Sequence, residues 1–417
     1  MAKIRIEGGH KLSGTITIGG AKNSVVALIP AAILCDETAT ISNVPEITDV
    51  DDLENILIHL NGKIKRTKDQ VEINSSNIIN CEITESLSKK LRASYYFMGA
   101  LLGKFNRVEM YFPGGCNIGS RPINLHLKGF ESLGATVTEE DNHFVIEAPK
   151  LKGNNIYLDF PSVGATINIM LAATKAQGKT IIDNAAQEPE IVNVATFLNN
   201  MGAKIKGAGT STITITGVKH LHSCFHEVIP DRIQAGTYLI IAALLGQNLK
   251  IANIIPNHLE ALIAKLTETG VDMEIGLDSI TVKDVKDYTK TDIKTLVYPG
   301  FATDLQQVMA TFLTQCKGKS TIEETIYENR FQNLIELAKM GANVKISNDN
   351  RKAKIIGKTI LKGTKVSATD LRGGASLLVA ALIANGITTI DNISYILRGY
   401  DNIIEKLSSV GAKIEII

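Results

Sequence analysis

Tryptophan is absent from this chain, and aromatic residues make up 5% of it. Surfaces that hold single-stranded nucleic acid depend on stacked aromatic faces, so that class is disfavoured. An excess of one charge is lacking too. Lys and Arg total 44 against 43 Asp and Glu, which leaves no net field to recruit nucleic acid or an anionic membrane. The strongest apolar runs, 238–245 and 377–384, fall far short of the roughly 20 residues that span a bilayer, so no membrane insertion is expected. The start MAKIRIEGGH shows no cationic stretch leading into an apolar core, and no secretion signal is expected. Cysteines are few, odd in number and scattered at Cys35, Cys81, Cys116, Cys224 and Cys316, which points to a reducing, cytoplasmic compartment. Dinucleotide, P-loop and HExxH signatures are missing, so no cofactor is expected. His220, His222, Cys224 and His226 alternate as on one face of a strand and have zinc-ligand chemistry. They lack a second ligand cluster, and no metal is expected.

What the chain does have is repetition. A helix-end signature recurs as HLNGKI, SLGATV, NMGAKI, ETGVDM, KMGANV and SVGAKI, with glycines at Gly62, Gly134, Gly202, Gly270, Gly341 and Gly411. The period is roughly 70 residues, longer than that of most solenoid repeats. Each glycine follows an amphipathic run and precedes apolar alternation, so it predicts a left-handed helix end entering a strand. Between these signatures lie six Ala-rich helical stretches, such as ATINIMLAATKAQ and ASLLVAALIANG. Helices apolar on nearly all sides are buried at domain centres. Six such units suit two domains of three units each.

The most informative stretch is PGGCNIGSRP at 113–122. Its ends are stiffened by proline and its centre is loosened by glycine. It carries the lone thiol of Cys116 and, five residues on, the cation of Arg121. A thiol beside a guanidinium is a better acid and nucleophile than a free one.

The six-unit organisation resembles the enolpyruvyl transferases. PGGCNIGSRP, GGAKNS at 19–24, PSVGAT at 161–166, PGFATDLQ at 299–306, ENRF at 328–331, ATDLRGGASL at 368–377 and RGYD at 398–401 resemble the branch that acts on UDP-N-acetylglucosamine. The resemblance implies an α/β (α+β) fold of two lobes, with six βαβαββ units arranged three per lobe around buried helices. It implies one lobe at 22–229, a discontinuous second lobe from 1–21 and 230–417, and an active site in the cleft between them. The implied partners are the small molecules phosphoenolpyruvate and UDP-N-acetylglucosamine, joined in the first committed step of peptidoglycan synthesis.

The resemblance also distributes roles. Cys116 corresponds to the proton donor and to the site of fosfomycin alkylation, and Asp304 to the candidate base for the sugar hydroxyl. Lys22, Asn23, Arg121, Arg372 and Arg398 fall at phosphoenolpyruvate positions, with Lys22 and Arg398 also catalytic. The sugar nucleotide falls to Arg92, Arg121, Pro122, Ile123, Asn124, Leu125, Ser162, Val163, Gly164, Asp304 and Ile326. Arg330 and His126 are further basic or polar candidates near the site. Converging arginines suit two polyanionic substrates, because a guanidinium fork meets carboxylate or phosphate in bidentate fashion. Asp304 also has the residue type and position of a helix N-cap, and Asp370 is expected to orient Arg372 or Lys22. Phe160 stands where some relatives have lysine.

Overall fold

The computed structural model describes residues 2–114, 118–119, 122–284 and 287–417. They divide into two compact units. One holds 2–19, 118–119 and 230–417, and the other holds 20–114 and 122–229. Each has its own apolar core.

Three Ala-rich helices form the centre of each unit: Lys22–Ala31, Tyr96–Phe105 and Val163–Ala173 in one, Arg232–Leu245, Thr303–Leu313 and Leu371–Ile383 in the other. Small side chains let these helices approach closely, so they are buried around most of their circumference rather than along one stripe. From Arg372 to Leu382 every residue of the last helix is buried. Three of the six helices begin at a side-chain cap. Ser162 Oγ accepts from the Ala165 amide, while the carboxylates of Asp231 and Asp370 each accept two amides of the turn that follows. These bonds satisfy donors that a buried helix end would otherwise leave unpaired.

Amphipathic helices and small sheets surround these centres. Five sheets have four strands and one has three among the described residues. Each four-stranded sheet has one parallel pair, to which the remaining strands add antiparallel, and in three of the five a buried helix connects the parallel strands. Asn155–Tyr157 thus runs parallel to Lys179–Asp183, and Thr212–Thr216 runs antiparallel to the latter. In the three-stranded sheet an isolated Ile83–Met110 bridge supplies the parallel contact.

Two parallel pairs join distant parts of the chain. Cys224–Glu227 lies beside Thr38–Ser42, and Leu12–Thr17 lies beside Gly246–Ala252. Ile4–Glu7 is interior to its sheet, between Ile387–Asp391 and Lys413–Ile416.

The glycine signature closes helices as the sequence predicts at Gly134, Gly202, Gly270, Gly341 and Gly411, with φ between 93° and 107°. The first repeat differs. Asn61 takes the left-handed position at φ 65° and Gly62 follows it. Asparagine tolerates that conformation better than other side chains because its short amide can bond locally, and Asn61 Nδ2 donates to the Asn77 carbonyl. The His–Cys alternation does not form one strand face either. The strand spans Cys224–Glu227, His226 is buried between Asn193 and Asn200, and His222 is exposed outside it.

Candidate active site

Asp304 lies inside the first turn of the Thr303–Leu313 helix, which is capped by the backbone at Ala302. The carboxylate is therefore not a cap. It accepts from Arg330 Nη2 and, at 3.4 Å, from Arg372 Nη2. Both guanidinium side chains are 3% exposed, whereas that of Asp304 is 28% exposed. Two buried cations thus flank a carboxylate that solvent still reaches.

Burial alone would pull the Arg372 guanidinium down, but Tyr400, Asp304 and Asp231 outweigh it and hold the group above its ordinary range. Its guanidinium carbon lies 5.4 Å from the Tyr400 ring centre, and the Tyr400 hydroxyl is 3.0 Å from Thr237 Oγ1. Asp370 caps the Leu371–Ile383 helix through the Arg372 and Gly373 amides, accepts from Gln307 Nε2, and sits 3.6 Å from Arg330 Nη1. Its side-chain ion partner in this unit is Arg330. Arg398 follows the short Ser394–Leu397 helix and is half-buried.

In the other unit Lys22 opens its helix with Nζ 2.7 Å from Asp49 Oδ2, and that carboxylate is 1% exposed. Asn23, next along, is half-buried. Ser162, Val163 and Gly164 form the N-terminus of the Val163–Ala173 helix, where free amides suit an anion. A β-carbon at Gly164 would meet His126 Cε1 at 2.9 Å and the Tyr95 hydroxyl at 3.0 Å, so glycine is required there. His126 is fixed from behind. Asn168 Oδ1 accepts the Gly99 amide, which turns its Nδ2 to donate to His126 Nδ1 at 2.8 Å. The ring proton therefore rests on Nε2, the nitrogen that faces Gly164. Arg92 stacks 6.0 Å from the Tyr95 ring centre. Pro122 and Asn124 are exposed, Leu125 is half-buried, and the Ile123 side chain belongs to the core. Phe160 is exposed just ahead of the helix start.

Cys116 and Arg121 lie outside the described residues. Nearby, the Ile118 carbonyl accepts the Asn329 amide at 3.1 Å, and a β-carbon at Gly119 would meet Glu328 Oε2.

Asn43, Asn184, Asn253 and Asn392 each follow the strand after a buried helix, with φ between 55° and 58°. Their amides donate to Val228 O, Leu158 O, Ile18 O and Ser367 Oγ, tying the end of that strand to its parallel partner. The repeated pattern SN, DN, AN, DN at the end of an apolar run was the signal for this device. Two repeats lack it. After Arg107–Tyr111 the strand is followed by Phe112 rather than asparagine, and after Gly318–Glu323 the chain continues into the irregular connection 324–331. In sequence, PGGCNIGSRP follows the first of these strands, and the Ile326–Arg330 turn follows the second. Glu324, which links to Arg330 through Thr303, gave no sequence signal, and Thr303 entered only as part of PGFATDLQ.

A family model described as EPSP synthase (3-phosphoshikimate 1-carboxyvinyltransferase) matches residues 6–407. The UDP-N-acetylglucosamine 1-carboxyvinyltransferase 2 of Listeria monocytogenes serotype 4b (strain F2365) is 53% identical over 412 residues, covering 99% of this chain and 97% of the relative. The protein of the same name from Geobacillus kaustophilus (strain HTA426) is 51% identical over 414 residues, covering 99% and 96%. Among solved structures, the enolpyruvyl transferase NikO from Streptomyces tendae matches with a TM-score of 0.90 at 25% identity, covering 100% of this chain and 98% of that one. An EPSP synthase from Acinetobacter baumannii shares the fold, with a TM-score of 0.76, 17% identity and full coverage of both chains. With its six-unit fold and a match over almost its whole length, the chain belongs to the EPSP synthase (3-phosphoshikimate 1-carboxyvinyltransferase) family.

Proposed function

We propose that this chain transfers the enolpyruvyl group of phosphoenolpyruvate to the 3-hydroxyl of UDP-N-acetylglucosamine, releasing phosphate and committing the sugar nucleotide to peptidoglycan synthesis. The observation that carries the reading is a partly exposed Asp304 carboxylate between two buried guanidiniums, in a chain about half identical, end to end, to transferases named for that sugar nucleotide.

The chemistry asks for an acid, a base and several anion sites. In the addition step the sugar oxygen bonds to C2 of phosphoenolpyruvate, its proton passes to Asp304, and Cys116 delivers a proton to the C3 methylene. In the elimination step the C2–O bond to phosphate breaks, C3 gives a proton back to the Cys116 thiolate and Asp304 passes its proton to the departing phosphate, so that the C2–C3 double bond is restored as the enol ether of the sugar. Lys22, Asn23, Arg121, Arg372 and Arg398 take the phosphate and carboxylate of phosphoenolpyruvate. Arg92, the 122–125 segment, the 162–164 helix start and Ile326 take the sugar nucleotide. Arg372, buried and held charged, is suited to a substrate anion because its orientation is already fixed before binding.

Phosphate release from phosphoenolpyruvate tests the reading, with UDP-N-acetylglucosamine or shikimate 3-phosphate as acceptor. Release is expected with the first and not the second; the reverse assigns the chain to the shikimate branch, and release with neither overturns the reaction. Cys116→Ser should lower kcat by about 100-fold or more, because a hydroxyl is a far weaker acid, while Cys116→Asp keeps measurable turnover. A Ser variant as fast as the parent removes Cys116 from the acid role.

A further inference from the structure

Glu324 lies at the start of the irregular connection 324–331 and is fully buried. Oε1 accepts from Thr295 Oγ1 at 2.9 Å, the Ile326 amide at 2.8 Å and the Tyr327 amide at 3.2 Å, while Oε2 accepts from Thr303 Oγ1 at 2.9 Å. All four partners are donors, a demand that a carboxylate meets with both oxygens. Thr325 adds a second tie to Thr295, through its amide at 2.9 Å and its hydroxyl at 2.6 Å.

The fold does not require a carboxylate at such a junction. In four repeats the corresponding connection is closed by a neutral asparagine that binds the neighbouring strand. A buried anion is costly unless it is fully bonded, so its presence here points to what it holds.

Two routes lead from Glu324 to Arg330. On one, Thr303 donates to Glu324 and so turns a lone pair to Arg330 Nε, 3.3 Å away. On the other, the Tyr327 amide is held by Glu324, and the Arg330 guanidinium lies 5.3 Å from the Tyr327 ring centre. Arg330 in turn grips Asp304, the residue that follows Thr303.

We infer that Glu324 is a positioning residue for the enolpyruvyl transfer, acting through Thr303 and Tyr327 to hold Arg330 where it aligns the Asp304 carboxylate. The inference rests on the proposed role of Asp304. Glu324 itself touches neither substrate nor reacting atoms.

Glu324→Gln separates positioning from support. Glutamine keeps an oxygen for Thr295 and the two amides, so the turn is preserved. Its NH2 group faces Thr303 Oγ1 as a donor and competes with Arg330 Nε for the same lone pairs. The expected result is a kcat lowered by about tenfold with the KM for UDP-N-acetylglucosamine little changed, since misplacing a catalytic group costs rate more than binding. Thr303→Val cuts the same link elsewhere and should give a similar loss, Thr303→Ser should stay above it, and the Glu324→Gln/Thr303→Val pair should lose no more than either alone. Thermal midpoints of all four variants check that the fold is kept. Unchanged kcat in Glu324→Gln, a change confined to KM, or losses that multiply in the double variant would each overturn the inference. A parent chain that releases no phosphate with UDP-N-acetylglucosamine overturns the reaction itself, and the role of Glu324 in it.

Discussion

Burial sorts the cysteines one residue at a time. Burial pushes the Cys316 thiol up to about 12 and the Cys224 thiol up to about 11, and it raises Cys35 and Cys81 as well. None of these four is poised to be a thiolate at neutral pH, and thiolate is the reactive form. Cys116, on a glycine-rich loop with Arg121 five residues on, is the exception the sequence predicts. A brief treatment with iodoacetamide at pH 7.5 is therefore expected to add one carbamidomethyl group per chain, mapped by mass spectrometry to Cys116. The Cys116→Ser variant should take up almost none. Labelling spread evenly over the cysteines would remove any special reactivity at 116.

At the scale of elements, the left-handed asparagines make a separable prediction. Asn253 contributes both a backbone conformation and a 2.7 Å bond to Ile18 O. Asn253→Gly keeps the first and loses the second, costing about 1 kcal/mol. Asn253→Ala loses both and should cost about 1–2 kcal/mol more. Urea midpoints read the difference directly, and equal midpoints for Gly and Ala would show that the conformation carries no strain. The same elements show what the sequence could say. Ala-rich runs predicted the six buried helices because complete burial leaves a compositional mark. The helix-end glycines were legible for a similar reason, and Asn61 displaced Gly62 because two residues there can both turn left. Asp304 was legible as a motif residue, but its first-turn place was not, since cap and first-turn positions differ by one or two residues of register. Glu324 was invisible. Its bonds reach Thr295 and Thr303 across chain segments, and nothing in local spacing encodes such a tie.

For the molecule as a whole, His226 couples stability to pH. Burial lowers it from 6.5 to about 4. Asn193 Nδ2 meets one ring nitrogen at 2.9 Å, and the ring packs on Phe197. The unfolded chain takes up this proton first as pH falls, so the contribution is complete above about pH 6.5 and is lost progressively towards pH 4. Over that window it amounts to something on the order of 3 kcal/mol. Urea unfolding at pH 7 and pH 5 should show a larger drop for the parent than for His226→Gln. Equal drops would mean that the histidine titrates normally.

The parallel pairing of Leu12–Thr17 with Gly246–Ala252, and the interior place of Ile4–Glu7, have a consequence for synthesis. The segment 20–229 completes its three sheets from its own residues. Ile4–Glu7, by contrast, has its partners at 387–391 and 413–416, hundreds of residues further along the chain. Non-local pairings of this kind are slow to form and leave strand edges open while they wait. The nascent chain thus carries the segment 20–229 with its sheets complete while the other unit is unfinished, and Ile4–Glu7 stays unpaired until 387–416 has been made. Shielding those two strands in the interval is work for a chaperone, and the demand is set by topology rather than by composition.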